Sequence, residues 1–253
     1  MHSEAAAMGG YVMQIQDLSV NDGSGIRSNI FLASCPLRCA WCANPEGQTQ
    51  DNPLVRWMET EEVLRRVRRS IPFFRASGGG VTFTGGECTM QADFLRELAT
   101  ALYNDGLNLA METCGTFDFD EVRDILEMMD LVFMDCKLMD AEAHRRFTGA
   151  DNAHILRNIA RTAALRPVCV RIPTVVGVNA DEANMRATFA FLRDEAPPAT
   201  LEFLPYHRYG EGKYAELGLT LPSADFAIPT EALLSRLRAI AREEYGITVV
   251  SYR

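Results

Sequence analysis

The sequence predicts an α/β fold, a partial (β/α)6 TIM-like barrel that is curved and open on one side. Three observations predict it. Short apolar or β-branched runs alternate with stretches of helical period. The alternation recurs six times at the spacing of strand–helix–strand crossovers, which implies parallel strands and is too few for a closed eight-fold barrel. The polar residues with chemical potential fall just after the strands, at the edge where the βα loops of such a barrel converge.

The strands are expected at Asn29–Ala33, Gly80–Thr84, Leu107–Glu112, Leu131–Asp135, Val168–Pro173 and Thr200–Leu204, with a strand-like run at Ile247–Val250. Between them, Val63, Leu64, Val67 and Ile71 share one helix face. Met90, Phe94, Leu95, Leu98 and Leu102 share a second, and Val122, Ile125, Leu126 and Met129 a third. Ile155, Leu156 and Ile159 mark a fourth helix, Met185, Phe189 and Leu192 a fifth, and Leu233, Leu234, Leu237 and Ile240 a last one. No internal repeat or low-complexity linker divides the chain. Residues 1–10, Ala-rich and ending in two glycines, read as a flexible lead-in to a single domain over residues 11–253.

At 253 residues and 47% hydrophobic content the chain can build a substantial core. Its net charge of −9 argues against a general nucleic-acid footprint. No apolar run approaches the roughly 18 residues that span a bilayer, and the N-terminus lacks the basic region of a secretory signal. Seven cysteines without paired spacing fit a reducing interior, so the expected location is cytoplasmic.

Three of those cysteines stand in one loop, Cys35-Pro36-Leu37-Arg38-Cys39-Ala40-Trp41-Cys42, the pattern C-x3-C-x2-C. Three thiolates this close can bind three corners of a four-iron cluster and leave the fourth iron open to a substrate or cofactor. Zinc sites prefer four Cys/His ligands in paired knuckles. No second knuckle follows, and the next histidine is His144. A disulfide would leave one thiol over. Cys88, Cys114, Cys136 and Cys169 show no ligand spacing; Cys88 reads as a small buried residue, and the roles of the other three stay open. The run Arg65-Arg66-Val67-Arg68-Arg69 reads as a solvated helix face.

With these residues in hand, the chain resembles the radical S-adenosylmethionine (SAM) enzymes, whose signature is C-x3-C-x-aromatic-C with Trp41 in the aromatic slot. Within them it resembles the activating enzymes of glycyl-radical enzymes, of the pyruvate formate-lyase activating type. Asn21-Asp22-Gly23-Ser24-Gly25-Ile26-Arg27 is similar to their D-G-P-G-I-R, with Ser24 for Pro. Ser77-Gly78-Gly79-Gly80-Val81-Thr82, Thr84-Gly85-Gly86-Glu87, Met134-Asp135-Cys136-Lys137 and Leu204-Pro205-Tyr206-His207 extend the match. Asn44-Pro45-Glu46-Gly47 leads straight on toward the next helix, so the resemblance is to the short form without a ferredoxin-like insert.

The resemblance implies a barrel of the radical SAM type in which Cys35, Cys39 and Cys42 hold a [4Fe–4S] cluster and SAM chelates the open iron. Reductive cleavage of SAM then yields a radical that takes the α-hydrogen of a glycine in a partner glycyl-radical enzyme under anaerobic conditions. Cluster and SAM carry the chemistry, and no further side chain is expected to be catalytic. The implied SAM-binding set is Trp41 beside the adenine, Gly85, Gly86 and Glu87 at the amino group, Asp135, Lys137, Arg171 and His207. Asp135 and Lys137 alternate, so both face one side of a strand. Arg171, in the apolar strand Val168–Pro173, calls for an anionic partner, for which the SAM carboxylate is the natural candidate. Glu112, Thr113 and Asp135 are the candidate ligands of a monovalent cation, although Glu112 is longer than the family's Asp. Asp22 and Arg27 are expected to hold the partner's peptide. The implied partners are that glycyl-radical enzyme and an electron donor such as flavodoxin or ferredoxin, with no nucleic acid and no membrane, and the chain acting as a monomer.

Two other functions fit parts of the pattern. A radical SAM enzyme acting on a small molecule or ribosomal peptide would keep the cluster and SAM residues; the Asp22–Arg27 stretch favours the activating reading. A non-catalytic iron–sulfur electron carrier would explain the cysteines alone, but not the absent fourth ligand or the polar strand ends.

Overall fold

The computed structural model describes residues 8–222 and 226–252. Eight strands form one sheet: β1 (Gly9–Ser19), β2 (Arg27–Leu32), β3 (Arg56–Glu59), β4 (Gly80–Gly85), β5 (Asn108–Thr113), β6 (Leu131–Asp135), β7 (Val168–Thr174) and β8 (Thr200–Pro205). Their order is β3-β1-β2-β4-β5-β6-β7-β8. β2 and β4 to β8 are the six parallel strands that the alternation predicts, each next to its successor. Among the described residues β3 and β8 do not pair, so the curved sheet is an open, partial barrel.

Two strands depart from expectation. β1 runs antiparallel to β2, and β3 antiparallel to β1. They add an antiparallel flap to the edge where the six-strand reading stops. Most of the lead-in expected over residues 1–10 lies outside the described residues, and β1 begins at Gly9. At the opposite edge, the strand-like run after Gly246 makes only a short parallel bridge, Val249 to Leu201 of β8.

The helices are α1 (Thr60–Arg68), α2 (Ile71–Ser77), α3 (Ala92–Asn104), α4 (Phe119–Glu127), α5 (Ala141–Thr148), α6 (Ala153–Leu165), α7 (Glu182–Glu195), α8 (Glu211–Glu216) and α9 (Glu231–Glu243). The side chains of Asp118, Asp140, Asp181 and Thr230 cap the N-termini of α4, α5, α7 and α9, each satisfying a backbone N–H that the helix cannot. Ile71 does not continue α1 as expected. Pro72 cannot sit in a helix interior, and it opens α2 instead.

Alternation along the strands divides the interior into two environments. Val81, Phe83, Leu109, Met111, Val132, Met134, Val170, Ile172, Leu201 and Phe203 belong to the main apolar core, which includes the inner faces of the helices. Full burial of each such side chain contributes about 1.5–3 kcal/mol. The alternate positions, facing the barrel axis, include Arg27, Asn29, Thr82, Arg171 and Glu202, all buried. Ala110, Phe133 and Cys169 form a small apolar cluster there, with Leu131, Val250 and Tyr252 packed against it.

Arg27 corrects an expectation. It is fully buried, and therefore not placed to touch a partner's peptide. Its guanidinium donates to Thr82 Oγ1 (2.7 Å), Asn108 Oδ1 (2.8 Å), the Val81 carbonyl (2.7 Å) and the Ser24 carbonyl (3.1 Å). These bonds clamp the Gly-rich loop beneath β2, β4 and β5. Gly25 (φ +67°) lies so close to Gly79 that a Cβ would stand 2.4 Å from its nitrogen, so only glycine fits.

Replacing Arg27 with Met strands several buried acceptors. The variant is expected to lose about 3 kcal/mol of stability in anaerobic urea titration. A loss below about 1 kcal/mol would remove Arg27 from its role as the clamp.

Candidate active site

At the C-terminal ends of the strands lies a cavity of about 570 Å³, within the range of small-molecule and cofactor sites. Cys35, Cys39, Cys42 and Trp41 line it from the loop after β2. Gly85 and Gly86 line it from the end of β4, Glu112, Thr113 and Cys114 from β5, and Asp135 and Lys137 from β6. Arg171 and Pro173 come from β7, Tyr206, His207 and Tyr209 from the segment after β8, and Asp22 from below. The six strands bring these residues to one place from positions up to 187 apart in sequence.

The cysteine loop is held from three sides. Arg38 N–H donates to the Thr148 carbonyl (2.7 Å) and Ala40 N–H to that of Phe147 (2.9 Å), at the end of α5. Tyr214 of α8 donates its hydroxyl to the Cys42 carbonyl (3.2 Å), and Lys213 bridges Asn44 (2.9 Å) and Glu46 (2.5 Å). Gly86 fits against the loop so tightly that a Cβ would lie 2.2 Å from the Gly47 oxygen and 2.5 Å from that of Ser34. The three thiols are free. Among the described residues no three His, Cys, Asp or Glu side chains converge on a point as a single metal ion requires. A four-iron cluster takes one thiolate at each of three separate corners. His144 lies outside the cavity lining, buried on α5 with Nδ1 2.6 Å from the Ala150 oxygen. The soft, unpaired sulfur set on one wall of an open cavity therefore fits a [4Fe–4S] cluster.

Burial pushes the Cys39 thiol up to about 12 and raises Cys42 as well, with Lys137 pulling the other way. Cys35 is lowered, chiefly by a side-chain hydrogen bond from Cys114. Lys137 is buried and ion-paired with Asp135. Burial opposes its charge, but Asp135 and the sulfurs of Cys39 and Cys114 overcome that and hold its pKa up. Asp135 and Lys137 thus face one side, as their spacing predicts, with Lys137 beside the cysteine wall. His207 accepts a hydrogen bond at Nδ1 from the Tyr209 N–H (3.3 Å), and its ring stacks on Tyr209 at 4.5 Å. Trp41 both lines the cavity and packs against Phe147 and Phe226.

Two expected ligand-binding residues are engaged within the chain. Glu87 is fully buried. Its carboxylate accepts from Thr89 Oγ1 (2.6 Å), Thr113 Oγ1 (2.8 Å) and Cys114 N–H (2.7 Å). It braces the β4 loop against the β5 loop and is not among the residues that line the cavity. Arg171 is met by three carboxylates, Glu202 (2.8 Å), Asp22 (3.3 Å) and Glu112, and its guanidinium lies over the Phe133 ring at 3.7 Å. Its anionic partners are thus supplied by the protein itself. Thr84 Oγ1 donates to Glu112 (2.6 Å). The candidate cation ligands accordingly have other partners: Glu112 has Arg171 and Thr84, Thr113 has Glu87, and Asp135 has Lys137.

The sequence reading assigned no site role to Thr84, Glu202, Tyr209 or Cys114, which the structure places in this region. Thr84 and Glu202 carry a legible signal, a polar residue at an inward position of a strand that is otherwise apolar. Cys114 carries none beyond following a strand end.

Residues 29–190 match the model of the radical SAM superfamily. The chain is 28% identical to the (2S)-3-sulfopropanediol dehydratase activating enzyme of Klebsiella oxytoca, over 92% of this chain and 93% of the relative. It is 31% identical to the pyruvate formate-lyase 2-activating enzyme of Escherichia coli strain K12, over 94% and 91%. A crystal structure of a domain of a pyruvate formate-lyase-activating enzyme from Bacteroides vulgatus superposes with a TM-score of 0.57 at 29% identity, covering 68% of this chain and 98% of that one.

One arginine among three carboxylates leaves an excess of negative charge. Burial, with repulsion from Asp22, pushes the Glu112 carboxyl up from its ordinary 4.5 to about 8, against the pull of Arg171. A carboxyl whose folded pKa is raised contributes its stability in full below the unfolded value and loses it as pH rises through the folded value. Stability is therefore expected to fall between about pH 5 and pH 9 in the wild type and to fall less in Glu112→Gln, by urea titration across that range. Parallel curves would show that the Arg171 pair keeps Glu112 ionised throughout.

Proposed function

The chain belongs to the radical SAM superfamily and, within it, to the activating enzymes of glycyl-radical enzymes, and on that premise we propose that it reductively cleaves SAM and removes the α-hydrogen of a glycine in a partner enzyme. The observation that carries this reading is the placing of three free thiols of one pinned loop on the wall of an open cavity that also holds Lys137 and His207.

Cys35, Cys39 and Cys42 would hold a [4Fe–4S] cluster, which when bound would supply the electron for the reductive cleavage of SAM. The chain's residues bind and shield. Lys137 sits beside the cysteine wall and offers its ammonium to the carboxylate of the methionine moiety. Gly85 and Gly86, without side chains, let that moiety approach the backbone at the end of β4. Trp41 offers an aromatic face to the adenine. His207, whose Nδ1 accepts the Tyr209 N–H, lines the cavity on the side where the nucleoside would bind. Asp22 faces the cavity floor and remains the candidate for holding the incoming peptide. A monovalent cation at Glu112, Thr113 and Asp135 would require Glu112 to leave Arg171. The electron comes from a one-electron donor such as flavodoxin or ferredoxin, and the partner is a glycyl-radical enzyme, which presents an extended glycine-bearing segment to the mouth.

The test is anaerobic reconstitution with iron and sulfide, reduction, and addition of SAM with a candidate partner. 5′-Deoxyadenosine and a partner-dependent glycyl radical in electron paramagnetic resonance (EPR) are expected. Cleavage without any such radical, across glycyl-radical enzymes, would favour a small-molecule or peptide substrate, and no cleavage at all would leave an electron carrier. Asp22→Asn is expected to lower partner activation about tenfold, worth about 1.4 kcal/mol, with a smaller effect on uncoupled cleavage. Equal loss of both would remove Asp22 from peptide binding.

A further inference from the structure

Two backbone hydrogen bonds bracket Cys39. The Arg38 N–H and the Ala40 N–H, one on each side of it, donate to the carbonyls of Thr148 (2.7 Å) and Phe147 (2.9 Å). Both acceptors belong to the last turn of α5, where carbonyls have no partner within the helix. The middle cysteine of the loop is therefore only as well placed as the end of α5.

That end is built around His144. The ring is buried, outside the cavity lining, and the chemistry proposed above makes no use of it. Its Nδ1 lies 2.6 Å from the Ala150 carbonyl oxygen. A carbonyl can only accept, so the proton is on Nδ1 and His144 is the donor. The bond spans the turn that closes the helix. Gly149 takes φ +88° there, a left-handed cap, and its N–H donates to the Arg145 carbonyl (2.9 Å). Thr148, one helical turn after His144 and also buried, donates its hydroxyl to the His144 carbonyl (2.8 Å), and its oxygen stands 3.0 Å from Nδ1. Asn152 ties the turn back beside Lys137, donating Nδ2–H to the carbonyls of Leu138 (2.8 Å) and Met139 (2.8 Å). A histidine that merely closed a helix would leave the last carbonyls to water. Here the cysteine loop takes them, and Gly149 lies against it, where a Cβ would stand 3.8 Å from that of Arg38.

We propose that His144 is a positioning residue for Cys39: by donating Nδ1–H to Ala150 it sets the two carbonyls that fix the cysteine's backbone, so that this thiol is already in place for a cluster. This rests on the cluster assignment made above. Removing the donor takes away the shortest side-chain bond across the turn, and the turn can then open. Opening frees the N–H groups on both sides of Cys39 together, while the strands behind keep their ladders.

The experiment is amide hydrogen exchange on the full chain without cluster, read at Arg38 and Ala40, with iron release to a chelator from reconstituted protein alongside. Two variants differ in one donor. His144→Asn keeps an N–H at the Nδ1 position, and His144→Leu puts a methyl group there. In the wild type both amides are expected to be protected. In His144→Leu their protection is expected to fall roughly tenfold, with the amides of β5 and β7 unchanged, and iron to leave roughly tenfold faster, the scale of one lost hydrogen bond. His144→Asn is expected to stay near wild type in both. Unprotected Arg38 and Ala40 amides in the wild type would overturn the proposal whether or not the variants fold. So would unchanged protection or unchanged iron release in His144→Leu, or a loss of protection spread evenly over the strands, which would give His144 a role in general stability alone. A wild type that takes up no four-iron cluster would overturn the functional reading and with it the role toward a cluster. The exchange is read without one, so the two failures are distinguishable.

Discussion

An open barrel has no closing ladder of hydrogen bonds, so something must hold its wall across the interior, and here that strut is Arg171. From β7 it reaches Glu202 on β8, Glu112 on β5 and Asp22 in the loop that leads from β1 into β2. One guanidinium thereby ties the last strand to the first parallel pair, over the flat face of Phe133. A buried charge of this kind adds little against an apolar replacement of the same shape, but removing one partner strands the others. The arrangement therefore specifies the barrel's curvature more than it stabilises it. Glu202 extends the strut by accepting the Tyr252 N–H (2.7 Å), which fastens the chain's last described residue to the β8 edge.

The cysteine loop depends on this frame because it has little regular structure of its own. Its backbone leans on the end of α5, on α8 and on the glycines that end β4. Each support comes from a different part of the chain, and each is fixed only when the strands stand in register. A loop held this way would meet a bound group with little entropy left to lose, which is what preorganisation means in energetic terms.

Six parallel strands were legible because each is a short apolar run followed by a helix of clear period. β1 and β3 were not. β1 mixes Gln14, Gln16 and Asp17 with apolar residues at a sheet edge, and β3 is four residues long, mostly exposed. Antiparallel edge strands need little apolar character, so no strong pattern marks them. The three loop cysteines were legible as one group because their spacing is local, and the structure brings all three to the cavity wall. Arg171 was legible as a buried charge, but its three partners lie from 31 to 149 residues away, and no periodicity reports a pairing at that range. Glu87 illustrates the same limit. A carboxylate at a strand end looks identical in sequence whether it meets a ligand or braces two loops.

What separates the two cases is saturation. Glu87, Arg27 and Arg171 are buried with their polar atoms engaged by the chain, and freeing any of them for a ligand would leave a buried acceptor or charge unpaired, at a cost of about 1–3 kcal/mol or more. Lys137 is buried too, but it stands at the cavity with Asp135 as its one ion-pair partner among the described residues, and Asp135 itself is partly exposed. If the ammonium turns toward a ligand carboxylate, Asp135 is left facing solvent, so the exchange of one ion pair for another is nearly balanced. Polar residues at the strand ends thus form two strata: a lower one spent on holding the barrel open at a fixed curvature, and an upper one, from the cysteines through Lys137 to His207, whose partners can be exchanged without breaking the fold.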